Sequence, residues 1–213
     1  MNTPLRLALT KGRLEADIRA LLRSAGVDVS PLLDTGRRLT HLLPDAQVEV
    51  VLAKAPDVVT YVEHGVCELG IVGKDTILEQ GRSFYEVLDL GFGACRFALA
   101  VREGDDFFGS CRHRRVATKY PRVAGAYFAG RGMDAEIIKI EGSVELAPIL
   151  GLADAIVDLV ETGSTLRANG LVPVEDICPV SARLIVNVAA MKMRRSAVQA
   201  FITLCRNGLE AQL

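Results

Sequence analysis

ADAIVDLVETGSTL, residues 153–166, runs an apolar strand carrying two aspartates into a loop of small hydroxyl residues around a single glycine. Strand alternation places Ala153, Ala155, Val157 and Leu159 on one face and Asp154, Ile156, Asp158 and Val160 on the other. Both carboxylates therefore point the same way, yet four residues of strand rise separate them by about 13 Å, so they do not grip the same atoms. Asp158, beside the loop, takes the direct role and Asp154 a lesser one. After Glu161, Thr162, Gly163, Ser164 and Thr165, the residues Leu166, Arg167 and Ala168 read as the first turn of a short helix, and unsatisfied amides at a helix start attract anions.

Gly163 admits backbone angles closed to other residues, so successive amides can converge on one anion, and the Thr162, Ser164 and Thr165 hydroxyls add donors. A cup of that size suits a terminal monophosphate. An ordinary strand-to-helix turn with Thr as N-cap uses the same residues, and the context favours the anion. An acidic strand end, a T-G-x-T loop and a helix follow the logic of a site for phosphoribosyl diphosphate (PRPP), with acids for the ribose hydroxyls and the loop for the 5-phosphate.

The same alternation of strand and helix extends along the chain. An apolar strand is expected over 5–9, then a helix from about Leu14 with Leu14, Ile18, Leu21 and Leu22 on one face and Gly26 as its stop. Strands are expected over 48–53 and 69–72, a helix over 57–64 with Asp57 as N-cap, and another over 75–80. From Gly91 the pattern restarts, with strands over 96–101, 116–118 and 136–140, a helix over 120–130 and a helix capped by Ser143 running to Leu150. Segments 174–179 and 183–187 carry the chain back, and a final helix shows Val198, Phe201, Ile202 and Cys205 on one face. This is β-α-β organisation, an α/β fold with a largely parallel sheet. Periodicity alone is compatible with one doubly wound domain or with two α/β lobes joined by two crossings.

Other segments offer charge at places where α/β sheets bind ligands. Lys11-Gly12-Arg13 follows the first strand and sets two cations beside a glycine that admits close approach, which suits a diphosphate or triphosphate. A solvated turn before a helix has the same composition. Residues 70–75, GIVGKD, give a strand, a tight turn and a helix start, with Gly73 and Asp75 as weaker candidates and Lys74 adding charge. Lys54, one residue beyond the strand over 48–53, is a further cation. Glu141 and Gly142 precede the Ser143 helix, where Glu141 either reaches ribose or hydrated magnesium or serves a capping turn. The basic run 112–115 lacks the interleaved aromatics of an RNA-binding surface, Tyr120 alone being near, and reads as solvated charge.

With 213 residues the chain can build one large or two modest domains. Half of it is apolar, 24% is charged and the formal net charge is -1, so nothing in the balance calls for nucleic acid or a membrane. The opening residues do not read as a leader, and no apolar stretch is long enough for a bilayer. Cys67, Cys95, Cys111, Cys178 and Cys205 are odd in number, scattered and without a C-x-x-C pair, which is the expectation for cytoplasmic thiols. His41, His64 and His113 show no zinc-ligand spacing.

Glu145, Gly151, Ala153, Ile156, Asp158, Leu159, Thr162, Gly163, Thr165 and Leu166 together resemble the signature segment of the ATP phosphoribosyltransferases, which open histidine biosynthesis. The resemblance continues through LALTKGRL at 7–14, YVEHGVCELGIVGKD at 61–75, VATKYPRVA at 116–124 and EGSVELAP at 141–148. It looks like the short form, since 213 residues ending at Leu213 are expected to leave no room for the C-terminal regulatory domain of the long form. One departure is Val59, where many relatives have proline; it bears on local loop stiffness rather than on chemistry.

The resemblance implies a two-lobed, type II periplasmic-binding-protein-like α/β fold with the substrate cleft between lobes. Lobe I would comprise 1–92 plus 180–213, and lobe II 93–179 with the PRPP loop. It implies an inverting transfer of 5-phosphoribosyl from PRPP to adenine ring nitrogen 1 of ATP. Lys11, Arg13 and Asp158 would be catalytic, and Asp154, Asp158, Glu161, Thr162, Gly163, Ser164 and Thr165 would hold PRPP. Lys11, Gly12, Arg13, Lys54, Gly73 and Asp75 would meet ATP or pyrophosphate. Magnesium would arrive with PRPP and ATP and be steadied, through water, by Asp154, Glu141 or Glu161. The implied partners are a regulatory subunit resembling histidyl-tRNA synthetase and a second copy of the chain, a homodimer within a hetero-oligomer. Two rivals remain at this point: a non-catalytic two-lobed binding module, and a phosphoribosyltransferase for a free base.

Overall fold

The computed structural model describes residues 3–33, 38–81, 83–109 and 113–212; Cys111 and Arg112, named above, lie outside them. The chain divides into two compact units, Met1–Gly93 with Ser181–Leu213, and Ala94–Val180. Each division falls one residue beyond the boundary expected above.

In the first unit, β1 (Leu5–Thr10) lies between β3 (Val48–Ala53) and β4 (Leu69–Gly73), parallel to both. Outside them, β2 (Thr40–Leu43) runs antiparallel to β3, and β11 (Ala182–Val186) separates β4 from β5 (Tyr85–Asp89), antiparallel to each. The sheet order is β2-β3-β1-β4-β11-β5. Alternation along β1 sends Leu5, Leu7 and Leu9 into a cluster with Ile18, Leu21 and Leu22 of α1 (Glu15–Ser24) and Val198, Phe201, Ile202 and Cys205 of α8 (Arg195–Glu210). Ala8 points into a second cluster with Val58, Val59 and Val62 of α2 (Ala55–Glu63). Helices thus cover both faces, which is why β1 and β4 read as nearly continuous apolar runs. The remaining α-helices among the described residues of this unit are α3 (Lys74–Gln80) and α7 (Val188–Met193), and a 3-10 turn spans Ser30–Leu32.

In the second unit, β6 (Cys95–Arg102) pairs antiparallel with β10 (Leu171–Val180) and with β9 (Ala155–Val160). Strand β7 (Arg115–Thr118) is parallel to β9 and to β8 (Glu136–Lys139), giving the order β10-β6-β9-β7-β8. The helices are α4 (Pro121–Gly130), α5 (Leu146–Ile149) and α6 (Ser164–Ala168).

Both sheets are therefore mixed, which corrects the expectation of a largely parallel sheet. Crossover helices join β7, β8 and β9 and hold them parallel. The chain arrives and leaves beside the end of β9, with Cys95 opposite Val180 and Arg96 opposite Val160, so the strand that enters runs against β9. Three local expectations also change. Helix α2 begins at Ala55 with Lys54 as N-cap and Pro56 in its first turn, not at Asp57, because proline fits a first helical turn. Val59 sits inside that helix and is fully buried, so it is a core residue and not part of a loop. Helix α5 is four residues long with no side-chain cap from Ser143; a start at Ser143 would push Pro148 into the helix interior, where it lacks a donor.

Candidate active site

Asp158 lies between Ile156 and Val160 on the β9 face that packs with Val144 and Ala147. Burial there, reinforced by Glu145, pushes its carboxyl up to about 6 against the opposing pull of the Leu159 amide and Lys119. The Leu159 N–H donates to Asp158 Oδ1 at 2.8 Å. Shortly after β9 ends, Gly163 takes a left-handed conformation with φ of 71° and leads into α6. The buried Leu166 anchors that turn in the core, while Thr162, Ser164 and Thr165 stay exposed. The Thr162 and Ser164 hydroxyl oxygens are 3.0 Å apart, and the Ser164 amide approaches Thr162 Oγ1 at 3.4 Å. Arg167 folds back so that its Nη1 lies 3.3 Å from where a Gly163 Cβ would stand. The loop is thus an open arc of amides and hydroxyls with a guanidinium at its back. Glu161 is exposed, and its carbonyl accepts from Arg96 at 3.5 Å.

In the first unit, Lys11, Gly12, Arg13, Lys54, Gly73 and Asp75 all lie at or just beyond the C-terminal ends of the parallel strands β1, β3 and β4. The Lys11 amide donates to the Ala53 carbonyl at 2.9 Å, and Thr10 Oγ1 donates to the Ile71 carbonyl at 3.0 Å, which stitches the three strand ends together. Lys11, Arg13 and Lys54 are exposed there. A Cβ on Gly73 would meet Asp75 Oδ1 at 2.1 Å, so the absence of a side chain lets that carboxylate fold over the turn. Lys74, read above as extra charge for an anion, is paired with Glu86.

Two expectations change. Alternation predicts that Asp154 shares the face of Asp158 and has a lesser role in holding PRPP; β9 starts at Ala155, and Asp154 sits just before it, at the end of the strand away from the loop. Its carboxylate accepts from the Arg115 amide at 2.9 Å and the Arg115 guanidinium at 3.3 Å. Partial burial raises its pKa, but those Arg115 bonds outweigh this and hold it below the usual range. It ties β7 to β9 and stands away from the loop that would hold PRPP. Glu141 follows β8 at the loop end of the parallel strands and is exposed, with Lys139 Nζ at 2.7 Å from its carboxylate. Asp154 and Glu141 therefore stand towards opposite ends of the parallel strands β7, β8 and β9. Among the described residues, no group of three or more His, Cys, Asp or Glu could hold a metal.

The sequence reading missed Lys119, Glu145 as a neighbour of Asp158, and Arg167. Lys119 and Glu145 come near Asp158 only through the packing of β7 and α5 against β9, so no local pattern marks them. Arg167 carries a local signal, being one turn beyond a left-handed glycine.

Two α/β units on mixed sheets, exchanged through two crossings, define the type II periplasmic-binding-protein architecture. The Bordetella pertussis BvgS periplasmic VFT2 domain shares the fold at 12% identity and TM-score 0.56, over 95% of this chain and 86% of that one. A family model described as HisG, ATP phosphoribosyltransferase, matches residues 54–207. The ATP phosphoribosyltransferase of Clostridium kluyveri is 57% identical over 93% of this chain and 90% of its own length. That of Clostridium acetobutylicum is 52% identical over 99% and 98%. The ATP phosphoribosyl transferase (HisG:HisZ) complex from Thermotoga maritima contains a chain with TM-score 0.85 and 32% identity, covering 98% of each. The chain belongs to the ATP phosphoribosyltransferase family.

Proposed function

We propose that the chain catalyses the first step of histidine biosynthesis, transferring 5-phosphoribosyl from PRPP to ring nitrogen 1 of ATP and releasing pyrophosphate. The observation that carries this reading is the segment 158–165, where a half-buried carboxylate near the end of the central strand β9 is followed by a hydroxyl-lined, left-handed glycine turn. The turn holds the 5-phosphate through the amides and hydroxyls of Thr162, Gly163, Ser164 and Thr165. Asp158 accepts from the ribose hydroxyls.

In the reaction the bond between the anomeric carbon and the diphosphate oxygen breaks, and the adenine nitrogen bonds that carbon from the opposite face. The diphosphate leaves with the electron pair, so positive charge grows on the sugar and negative charge on the leaving group. Lys11 and Arg13 neutralise the leaving diphosphate, and magnesium arrives bound to it. Catalysis rests on positioning and charge, with no protein nucleophile. Lys54, Gly73 and Asp75 complete the edge that receives ATP. Because both substrates are intracellular phosphates, the enzyme works in the cytoplasm.

A HisZ-like regulatory subunit, a reading supported by the HisG:HisZ complex of the Thermotoga maritima relative, and a second copy of the chain complete the assembly. The binding-module rival shares the fold alone. The free-base rival has two adjacent acids before its T-G loop, whereas Asp158 and Glu161 are separated here. Substrate exchange tests the reading: pyrophosphate should form from PRPP with ATP and not with free adenine, and turnover with adenine would support the free-base alternative.

A further inference from the structure

The end of β7 supplies a cation for which neither the loop nor the Lys11 segment accounts. In register, Thr118 lies beside Val157 of β9 and Lys139 of β8, so the next residue, Lys119, is flanked by Asp158 on one side and by the approach to Glu141 on the other. The backbone at this point is pinned. The buried Thr118 hydroxyl donates to the Val157 carbonyl at 2.6 Å and accepts from the Tyr120 amide at 2.9 Å. Lys119 itself is exposed, and its charge acts on both Asp158 and Glu141. Lys139 lies 2.7 Å from the Glu141 carboxylate and is its near cation, whereas on Asp158 the charge of Lys119 adds to the pull of the Leu159 amide.

The surroundings of Asp158 make that dependence matter. From α5 and the turn before it come apolar Val144 and Ala147 and the acid Glu145; from β6 comes Ala98, opposite in register. Burial and Glu145 favour the neutral acid, while the Leu159 amide on its own strand and Lys119 from β7 favour the ionised form. A carboxylate offers acceptors to both hydroxyls of a ribose, whereas a neutral acid spends one oxygen as a donor.

We propose that Lys119 is a positioning residue for the transfer reaction, its ammonium keeping Asp158 ionised so that the ribose of PRPP meets a carboxylate. This rests on the reading of Asp158 as the ribose acceptor. An opposite charge nearby lowers a carboxyl pKa, and Lys119 acts in that direction on Asp158, so its removal raises the Asp158 pKa.

The test uses the full chain with Lys119→Met and Lys119→Arg, in two measurements. The first follows the Asp158 carboxyl carbon by NMR titration, which needs neither substrate nor partner. The second records kcat/KM for PRPP from acid to alkaline pH with the HisZ-like subunit present. In Lys119→Met, the titration midpoint and the acid limb should both move to higher pH. The activity loss should be several-fold larger at acid pH than at alkaline pH, and Lys119→Arg should restore the wild-type profile. An unmoved carboxyl titration overturns the proposal, and so does an equal loss at every pH, which marks direct phosphate contact or a structural role. Asp158→Asn separates this from failure of the underlying reading. If that variant keeps full PRPP affinity, the ribose assignment is wrong and the proposal falls with it, even where the NMR shift is seen.

Discussion

Asp158→Asn separates what the carboxylate does for the reaction from what it costs the fold. Burial beside Ile156 and Val160, with Glu145 adding to it, moves the carboxyl from 3.8 to about 6 in the folded chain. The folded state therefore binds the proton more tightly than the unfolded one. Relative stability is greatest below the unfolded pKa and falls as pH rises from 3.8 to about 6, with the full cost present above that window. Each unit corresponds to about 1.4 kcal/mol, so the cost at alkaline pH is on the order of 1–3 kcal/mol. Asparagine keeps the shape and still accepts the Leu159 amide through its oxygen, but carries no charge to desolvate. The variant should be more stable than wild type by about 1–3 kcal/mol near pH 8, or a few degrees in Tm, and gain nothing near pH 4. Denaturant melts at both pH values measure this, and hydrogen exchange of the β9 amides assigns it to the second unit. A variant less stable than wild type at the higher pH, or a difference independent of pH, would refute the reasoning.

The remaining predictions concern the loop, the correction at Asp154 and the helix packing. Thr165→Ala removes a charge-assisted hydrogen bond worth about 1.5–3 kcal/mol, roughly 10- to 150-fold in kcat/KM for PRPP; unchanged efficiency sinks the loop assignment. Asp154→Asn should leave PRPP kinetics as they are. Because the Asp154 pKa is lowered on folding, its contribution is present above the unfolded pKa and lost as pH falls through the folded one, so the variant should melt earlier than wild type at neutral pH and equally in strong acid. A loss of PRPP affinity like that of Asp158→Asn would return Asp154 to the site. Gly208→Ala places a Cβ 2.6 Å from the Leu21 carbonyl oxygen where α8 crosses α1, and should cost about 1–3 kcal/mol by overpacking. An unchanged melt would show that the two helices can part without penalty.

The elements legible in the sequence are those whose burial is one-sided or complete. Leu14, Ile18, Leu21 and Leu22, and Val198, Phe201, Ile202 and Cys205, repeat at helical spacing and are all buried. Strands β1, β3 and β9 are short apolar runs bounded by turns. The elements that were not legible have weak local signal. Strand β5 is half exposed along its length, and β2 has four residues at an edge. Helix α7 follows directly on a strand, and its cap acts through Asn187 Oδ1 accepting from the Ala189 and Ala190 amides, a contact that Asn at a strand end does not announce. For the site, Gly163 and its hydroxyl neighbours carry their chemistry locally. Alternation misplaces Asp154 because it extends the strand pattern beyond the start of β9, and the Arg115 partner lies 39 residues away. Lys119 and Glu145 meet Asp158 through packing that no window of sequence contains.

The central claim is tested most directly by pyrophosphate release from ATP and PRPP with magnesium, using the purified chain together with its HisZ-like subunit and following the adduct by ultraviolet absorbance. The account predicts release that requires both substrates and falls in Thr165→Ala and Asp158→Asn in proportion to their lost PRPP affinity. A folded wild-type chain that binds PRPP or ATP and forms no pyrophosphate, with or without the subunit, would contradict it.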